Sequence, residues 1–286
     1  MDTQNLQAFI RVCETGSFST AAQELFITQP AVSKRVSTLE EQLGCKLFDR
    51  INRSISLTEA GRHLLPRAKK IIQYLEETQR VIQDLNGEIT GRLKLATSHH
   101  IGLHRLPPIL KAFTAKFPAV KLDLYFLDSE KAYEDVLHGN LELAVITLAP
   151  SSDPLIHTTE IWADPLIFVV AKEHPLAKAK KIDLAILSEY PAILPGPMTY
   201  TGQIIQQLFN QHKLTLDVGM STNYLETLKM MTDIGLGWSV LPQTMVSDLK
   251  TLNIPNLALS RTLGCIYHRN RSLSNAAKAF IELLNQ

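Results

Sequence analysis

The chain has 286 residues, 45% of them hydrophobic, which is enough to bury more than one core and suits two units of ordinary domain size. A formal net charge of +1 excludes a polybasic coating protein, so any affinity for nucleic acid has to come from a local patch. The three cysteines, Cys13, Cys45 and Cys265, are too widely spaced for a disulfide framework or a zinc-type pair, and they point to a reducing compartment.

The first residues lack a basic segment leading into a long apolar run, and no stretch of about 18 apolar residues occurs. A cytoplasmic chain without a membrane segment is therefore expected. From Asn5 onward, Leu6, Phe9, Ile10 and Cys13 recur at helical spacing, and Gly16 sits where that helix should stop. Thr20 and Gln23 have the spacing of a capping box, with Ala21, Ala22 and Leu25 in a short helix behind it. Thr28 can cap a third helix that carries Pro30 in its first turn and ends at Gly44.

In this third helix Val32, Val36, Leu39 and Leu43 mark one buried stripe. The opposite face carries Gln29, Ser33 and Ser37 in one row and Pro30 and Lys34 in the next. Glutamine can address adenine through two hydrogen bonds, serine can meet bases or phosphates, and lysine neutralises phosphate. That is the equipment of a helix lying in the major groove of double-stranded DNA, with Arg35 assigned to the backbone. Leu47 and Phe48, a polar turn from Asp49 to Ser54, then Ile55 and Leu57 predict a β-hairpin. Its tip carries Arg50 and Arg53, suited to the DNA backbone or the minor groove. Between Lys34 and Lys70 nine basic residues meet four acidic ones, so the local patch exists.

Thr58 can cap a helix continuing to about Leu85, a length of roughly 40 Å. Leu64, Ala68, Ile71, Leu75, Thr78, Ile82 and Leu85 alternate steps of four and three along it, the seam of paired helices, with Thr78 the weak position and Pro66 an expected kink. Such a seam predicts a homodimer, whose two recognition helices would read an inverted repeat. Asn86, Gly87, Thr90 and Gly91 form the expected hinge.

After the hinge strands and helices alternate: RLKLATS, a helix to Phe117, VKLDLYF, a helix to His138, LELAVIT, and then a second set from LIFVVAK to WSVLP. The pattern predicts α/β lobes with a largely parallel sheet, and the late strand LGCIYHR and helix SNAAKAFIELLNQ are expected to return to the first lobe.

The run SFSTAAQELFITQPAVSKRVSTLEEQLGCKLFDR followed by LTEAG resembles the amino-terminal signature of LysR-type transcriptional regulators in order and spacing. GRLKLATSHHIGLHRLPPILKAFTAKFP, LHGNLELAVI and IGLGWSVLP resemble, more loosely, the effector domain of the same family. The resemblance implies a winged helix-turn-helix over residues 1–58, a linker helix and hinge over 59–90, and an effector domain over 91–286 shaped like periplasmic solute-binding proteins. Lobe I would comprise about 91–162 and 266–286, and lobe II about 163–265. By the same resemblance Gln29, Pro30, Ser33 and Lys34 occupy the base- and phosphate-reading positions, beside Thr28 and Arg35, and Arg50 and Arg53 occupy the wing. The expected partners are promoter DNA, an unknown small-molecule effector, a second copy in a homodimer that assembles to a tetramer, and RNA polymerase; no cofactor is expected.

Effectors of such domains lie between the lobes, where strands end and helices begin. Ser98, His99 and His100 follow the first strand, Thr147 closes the third, Thr199, Tyr200 and Thr201 start one helix of the second lobe, and Asn223 and Tyr224 start another. These nine are the candidate effector contacts. His100 and His104, with His99 nearby, also have a metal-pairing spacing, which makes metal sensing the competing reading, although the segment offers no carboxylate close by. A third reading, an α/β enzyme with an appended DNA-binding unit, is disfavoured because GxSxG, Walker and HExxH motifs are absent and GLG at Gly235–Gly237 lacks its third glycine.

Overall fold

Asp2 starts the first element by accepting the Gln4 amide, and α1 (Thr3–Thr15) stops at Gly16 in the left-handed conformation. Here and below, the computed structural model describes residues 1–51, 54–85 and 87–285, with backbone only at 50, 51, 54 and 83. α2 (Phe18–Glu24) is capped by Ser17, whose hydroxyl accepts the Thr20 amide at 3.2 Å. The expected capping box on Thr20 and Gln23 is thus displaced by three residues. Ser17 is extended, at φ −148°, and capping from there adds a turn that carries Phe18 into the core. α3 (Gln29–Leu43) ends at left-handed Gly44. Thr28 holds the cap position of α3 but its hydroxyl makes no capping bond. Val32, Val36 and Leu39 are buried as expected, while Leu43, the last residue of the helix, is 37% exposed.

β1 (Phe48–Ile51) and β2 (Ser54–Leu57) form the antiparallel hairpin, Phe48 opposite Leu57. Buried Glu40 holds the approach to it, accepting the Leu47 amide at 2.9 Å and the Lys46 ammonium at 2.7 Å. α4 (Glu59–Asp84) follows, with the Thr58 hydroxyl accepting the Gly61 amide at 3.0 Å, and it continues through Pro66. Its first half belongs to the core of the first unit: Ala68 is fully buried in the cluster that α4 shares with α1, and Leu64, Leu65 and Ile72 pack on the same cluster. The compact unit accordingly spans residues 1–86. In the second half Leu75, Ile82 and Leu85 are 41%, 61% and 76% exposed.

The second unit spans residues 87–286. β3 (Gly91–Thr97), α5 (His99–His104), α6 (Pro107–Lys116), β4 (Val120–Phe126), α7 (Ser129–Leu137) and β5 (Leu143–Thr147) open it, with β3 running parallel to both β4 and β5. The single helix expected up to Phe117 is two, because Pro107 and Pro108 oppose helical backbone just before them. β6 (Ile156–Val170) then crosses into the second lobe, which holds α8 (Leu184–Ser188), β7 (Ala192–Leu194), α9 (Tyr200–Gln211), β8 (Val218–Ser221), α10 (Leu225–Asp233), β9 (Ser239–Pro242) and β10 (Lys250–Leu252). β11 (Leu259–His268) crosses back, and α11 (Asn275–Leu284) closes the first lobe.

The main sheet runs β10-β6-β11-β5-β3-β4, with β9 on the other edge of β6, and β7–β8 pair separately. Beyond β3, β4 and β5 the main sheet is antiparallel, because β6 and β11 pair along their lengths from Leu166↔Leu259 to Ile156↔His268. This ribbon serves both lobes. Phe168 and Val170 enter the second core with Phe209 and Trp238, whereas Leu263 and Cys265 enter the first with Leu95, Val145 and Phe280. Leu263 pairs with Thr147 of β5, so the chain is back in lobe I before residue 266.

Candidate functional site

On α3, Thr28, Gln29, Pro30 and Lys34 are exposed and Ser33 is half-buried. Gln29 Nε2 donates to Ser33 Oγ at 3.0 Å, one turn along the same face. Arg35 turns aside, donating from Nη2 to Gln4 Oε1 of α1 at 2.8 Å, so its guanidinium is held against the neighbouring helix. Arg50 stands in β1 opposite Ile55, and Arg53 lies outside the described residues. In the turn before α3, Phe26 takes the left-handed conformation at φ +55° and is 95% exposed.

Between the lobes of the second unit lies a cavity of about 50 Å³. Of the nine candidate contacts, seven line it: Ser98, His99 and His100 at the start of α5, Thr147 at the end of β5, Thr199 and Thr201 at the start of α9, and Asn223 before α10. Tyr200 and Tyr224 do not. Successive helical residues point about 100° apart, so with Thr199 and Thr201 facing the cavity, Tyr200 turns away toward Tyr133, ring centroids 6.5 Å apart. Burial pushes its phenol up from the ordinary value. The Tyr224 ring packs edge-on against His99 at 4.8 Å. Residues missed by sequence reasoning complete the wall, chiefly Asp128, Ser129, Glu130 and Arg261.

Hydrogen bonds across the chain hold these walls. The Thr147 amide donates to Ser129 Oγ at 3.2 Å, and Glu130 Oε1 accepts the Tyr200 amide at 2.5 Å, tying α7 to α9. Asn223 accepts the Gly196 amide at 3.2 Å and donates to Asp128 Oδ2 at 2.8 Å, a second tie between lobes. Thr199 Oγ1 donates to the Gly196 carbonyl at 2.7 Å and accepts the Gly202 amide at 3.0 Å. A side chain at Gly202 would come within 2.2 Å of that carbonyl, so α9 can start here only with glycine.

Behind the hydroxyls lies a buried ionic group. Arg261 donates from Nε to Asp164 Oδ2 and from Nη1 to Thr201 Oγ1, both at 2.8 Å. Asp164 is its register partner across the β6–β11 ribbon and is fully buried. Arg105 approaches the other oxygen of Asp164 at 3.5 Å. His100 Nε2 lies 4.0 Å from Asp164, too far for a hydrogen bond, and among the described residues neither ring nitrogen has a hydrogen-bond partner. Burial, reinforced by the Arg261 charge, depresses the His100 pKa to about 4, so the ring is neutral near pH 7. Burial pushes the Glu130 carboxyl upward.

His100 and His104 also meet a carboxylate, though not from their own segment. Glu226 of α10 brings it, and the three ligand atoms lie within 4.8 Å of one another. His104 Nε2 is already hydrogen-bonded to Glu226 at 3.0 Å. His99 is not in the group, because its ring packs between Phe126 and Tyr224.

Residues 3–62 match the family model of the bacterial regulatory helix-turn-helix protein, lysR family, and residues 86–286 match that of the LysR substrate binding domain. The chain belongs to the LysR family of transcriptional regulators. The HTH-type transcriptional activator CmpR of Synechocystis is 31% identical over 97% of this chain and 93% of its own length. Among solved structures, full-length CbnR complexed with its target DNA is similar at TM-score 0.70 and 22% identity, covering 99% of each chain. The effector-binding domain of QuiR in complex with shikimate is similar at TM-score 0.62 and 22% identity, over 68% of this chain and 95% of that one. As a LysR regulator the chain couples an amino-terminal DNA-binding helix-turn-helix to a two-lobed α/β effector-binding domain. Among the described residues no helix is long and apolar enough to cross a membrane.

Proposed function

We propose that this LysR regulator is a cytoplasmic homodimer, assembling further to a tetramer, that reads an inverted repeat in a promoter and changes its DNA binding or its engagement of RNA polymerase when a small molecule enters the interlobe cavity. Gln29, Pro30, Ser33 and Lys34 are the assigned reading residues, with Arg50 and Arg53 on the flanking backbone or minor groove. The cavity is assigned to binding and not to turnover because the family is one of transcriptional regulators, and Thr201 Oγ1 is engaged by the Arg261 guanidinium. The observation that carries the reading is the lining of one interlobe cavity by residues from α5, β5, α7, α9 and β11. A ligand touching both lobes binds one arrangement of them better than another, which is what shifting an equilibrium requires. The dimer rests on Leu75 and Ile82 of α4 and Leu85 just after it, apolar and exposed at the spacing of one seam.

The test separates reading from sensing. In gel-shift titrations, Gln29→Ala should relax preference at one base pair of each half-site at a cost of about 1–3 kcal/mol. Ser98→Ala should bind operator like the parent and lose the effector response. Unchanged base preference in the first variant, or lost operator binding in the second, would overturn the assignment of these residues.

A further inference from the structure

The cavity has an unbalanced chemistry that says what should fill it. One carboxylate, Asp164, faces two guanidiniums, Arg261 and Arg105, and the adjacent His100 ring adds no negative charge. Arg261 is only 7% exposed, and among the described residues its Nη2 has no hydrogen-bond partner once Nε and Nη1 are spent on Asp164 and Thr201. His100 is 4% exposed with both nitrogens unpartnered. Burying a cation without full compensation, and a polar ring without partners, is costly. Both groups line the same cavity. One anion seated there would offset the surplus of guanidinium over carboxylate in the Arg261–Asp164–Arg105 group and meet the unused donors.

The opposite wall asks for something different. Asp128 and Glu130 each spend one oxygen, on Asn223 and on the Tyr200 amide, and each retains an acceptor at the cavity. A second anionic group would be repelled by this wall, and an unsubstituted apolar tail would leave its acceptors unpaired. The cavity, about 50 Å³ and partly open to solvent, suits a small ligand.

We infer that the ligand is a small monocarboxylic acid carrying a hydrogen-bond donor on the adjacent carbon, its carboxylate on Arg261 and His100 and its donor toward Asp128 and Glu130. This rests on the cavity being the effector site and goes beyond it by fixing the charge, polarity and size of the effector. A hydroxyl and an ammonium share the required chemistry, and glycolate and glycine distinguish them.

The test is calorimetric titration and thermal unfolding of the full chain with glycolate, glycine, acetate and oxalate. Glycolate or glycine should bind at least tenfold tighter than acetate, which lacks the donor, and oxalate, which adds a second anion. Arg261→Met should abolish that binding. Because this variant can unfold by stranding Asp164, His100→Leu is the second arm: it leaves the Arg261–Asp164 pair whole and should bind at least tenfold more weakly. Equal binding of acetate or oxalate, or parental affinity in folded His100→Leu, overturns the inference. If neutral sugars or amines raise the unfolding midpoint in a manner lost in Ser98→Ala while no acid does, the effector site stands and the acid falls. Stabilisation by zinc chloride alone would likewise overturn it and assign His100 to a site with His104 and Glu226. A midpoint unmoved by every compound removes both the inference and the site beneath it.

Discussion

The reading face of α3 and the interlobe cavity are built on opposite plans. On α3 the side chains come from one stretch of helix, and the bond between them, Gln29 to Ser33, spans a single turn. Around the cavity the decisive bonds join residues far apart in sequence: Arg261 to Asp164 across 97 positions, Asn223 to Asp128 across 95, and Arg261 to Thr201 across 60. A face made locally rests on a helix that folds without it. A site made from distant parts is itself part of what holds the lobes together, so altering its chemistry alters stability as well.

Three measurements break or sharpen this contrast. Asp164→Ala should be the most damaging, because it leaves the buried Arg261 guanidinium unpaired, and urea unfolding should show a loss of about 3–5 kcal/mol. A loss below about 1 kcal/mol would mean that the cavity wall readjusts freely and is no less tolerant than the reading face.

The second is a pH effect carried by His100. Its pKa in the fold, about 4, lies below the ordinary 6.5, so the unfolded chain binds more protons between those values. The stability it permits is complete above pH 6.5 and falls away as pH drops toward 4. At about 1.36 kcal/mol per pKa unit, the native chain should lose about 3 kcal/mol more than His100→Leu between pH 7 and pH 4. Parallel pH profiles of the two proteins would show that the ring is solvated or partnered in the fold.

The smallest effect lies in the locally built unit. Ser17→Ala should cost about 1 kcal/mol through the lost cap of α2, while Thr20→Ala, whose backbone amide and not its hydroxyl serves that cap, should cost little. Equal losses would return the cap to Thr20.

The same contrast governs what could be read from residues alone. The α3 stripe, Gly44, the hairpin and the Thr58 cap were legible because each is decided within a turn or two of chain. Ser17 was missed by one turn because Thr20 and Gln23 offer a competing local pattern, and only burial of Phe18 decides between them. Seven polar residues at strand exits could be placed at the cavity from the alternation of strands and helices. Arg261 could not, since RTLGC looks like an ordinary strand entry and its inward direction depends on register with β6. One signal was available: Asp164 stands among apolar residues in IWADPLIFVV, and a carboxylate buried in a strand requires a cation from elsewhere. Glu226 was beyond reach because α10 meets α5 only in the folded unit.

The β6–β11 ribbon also sets an order of events on the ribosome. Everything from the end of β6 to the start of β11 is an insertion into lobe I, so lobe II can close its core around Trp238 while lobe I still lacks Leu263, Cys265 and Phe280. At roughly 5–20 residues per second, β5 waits on the order of 10 s for β11 to be synthesised. During that interval the edge of the nascent parallel sheet is uncovered, and its valines and leucines are exposed to chaperones and to neighbouring chains. Removing α11, remote in sequence from β3, should therefore spoil the lobe that is begun first and finished last.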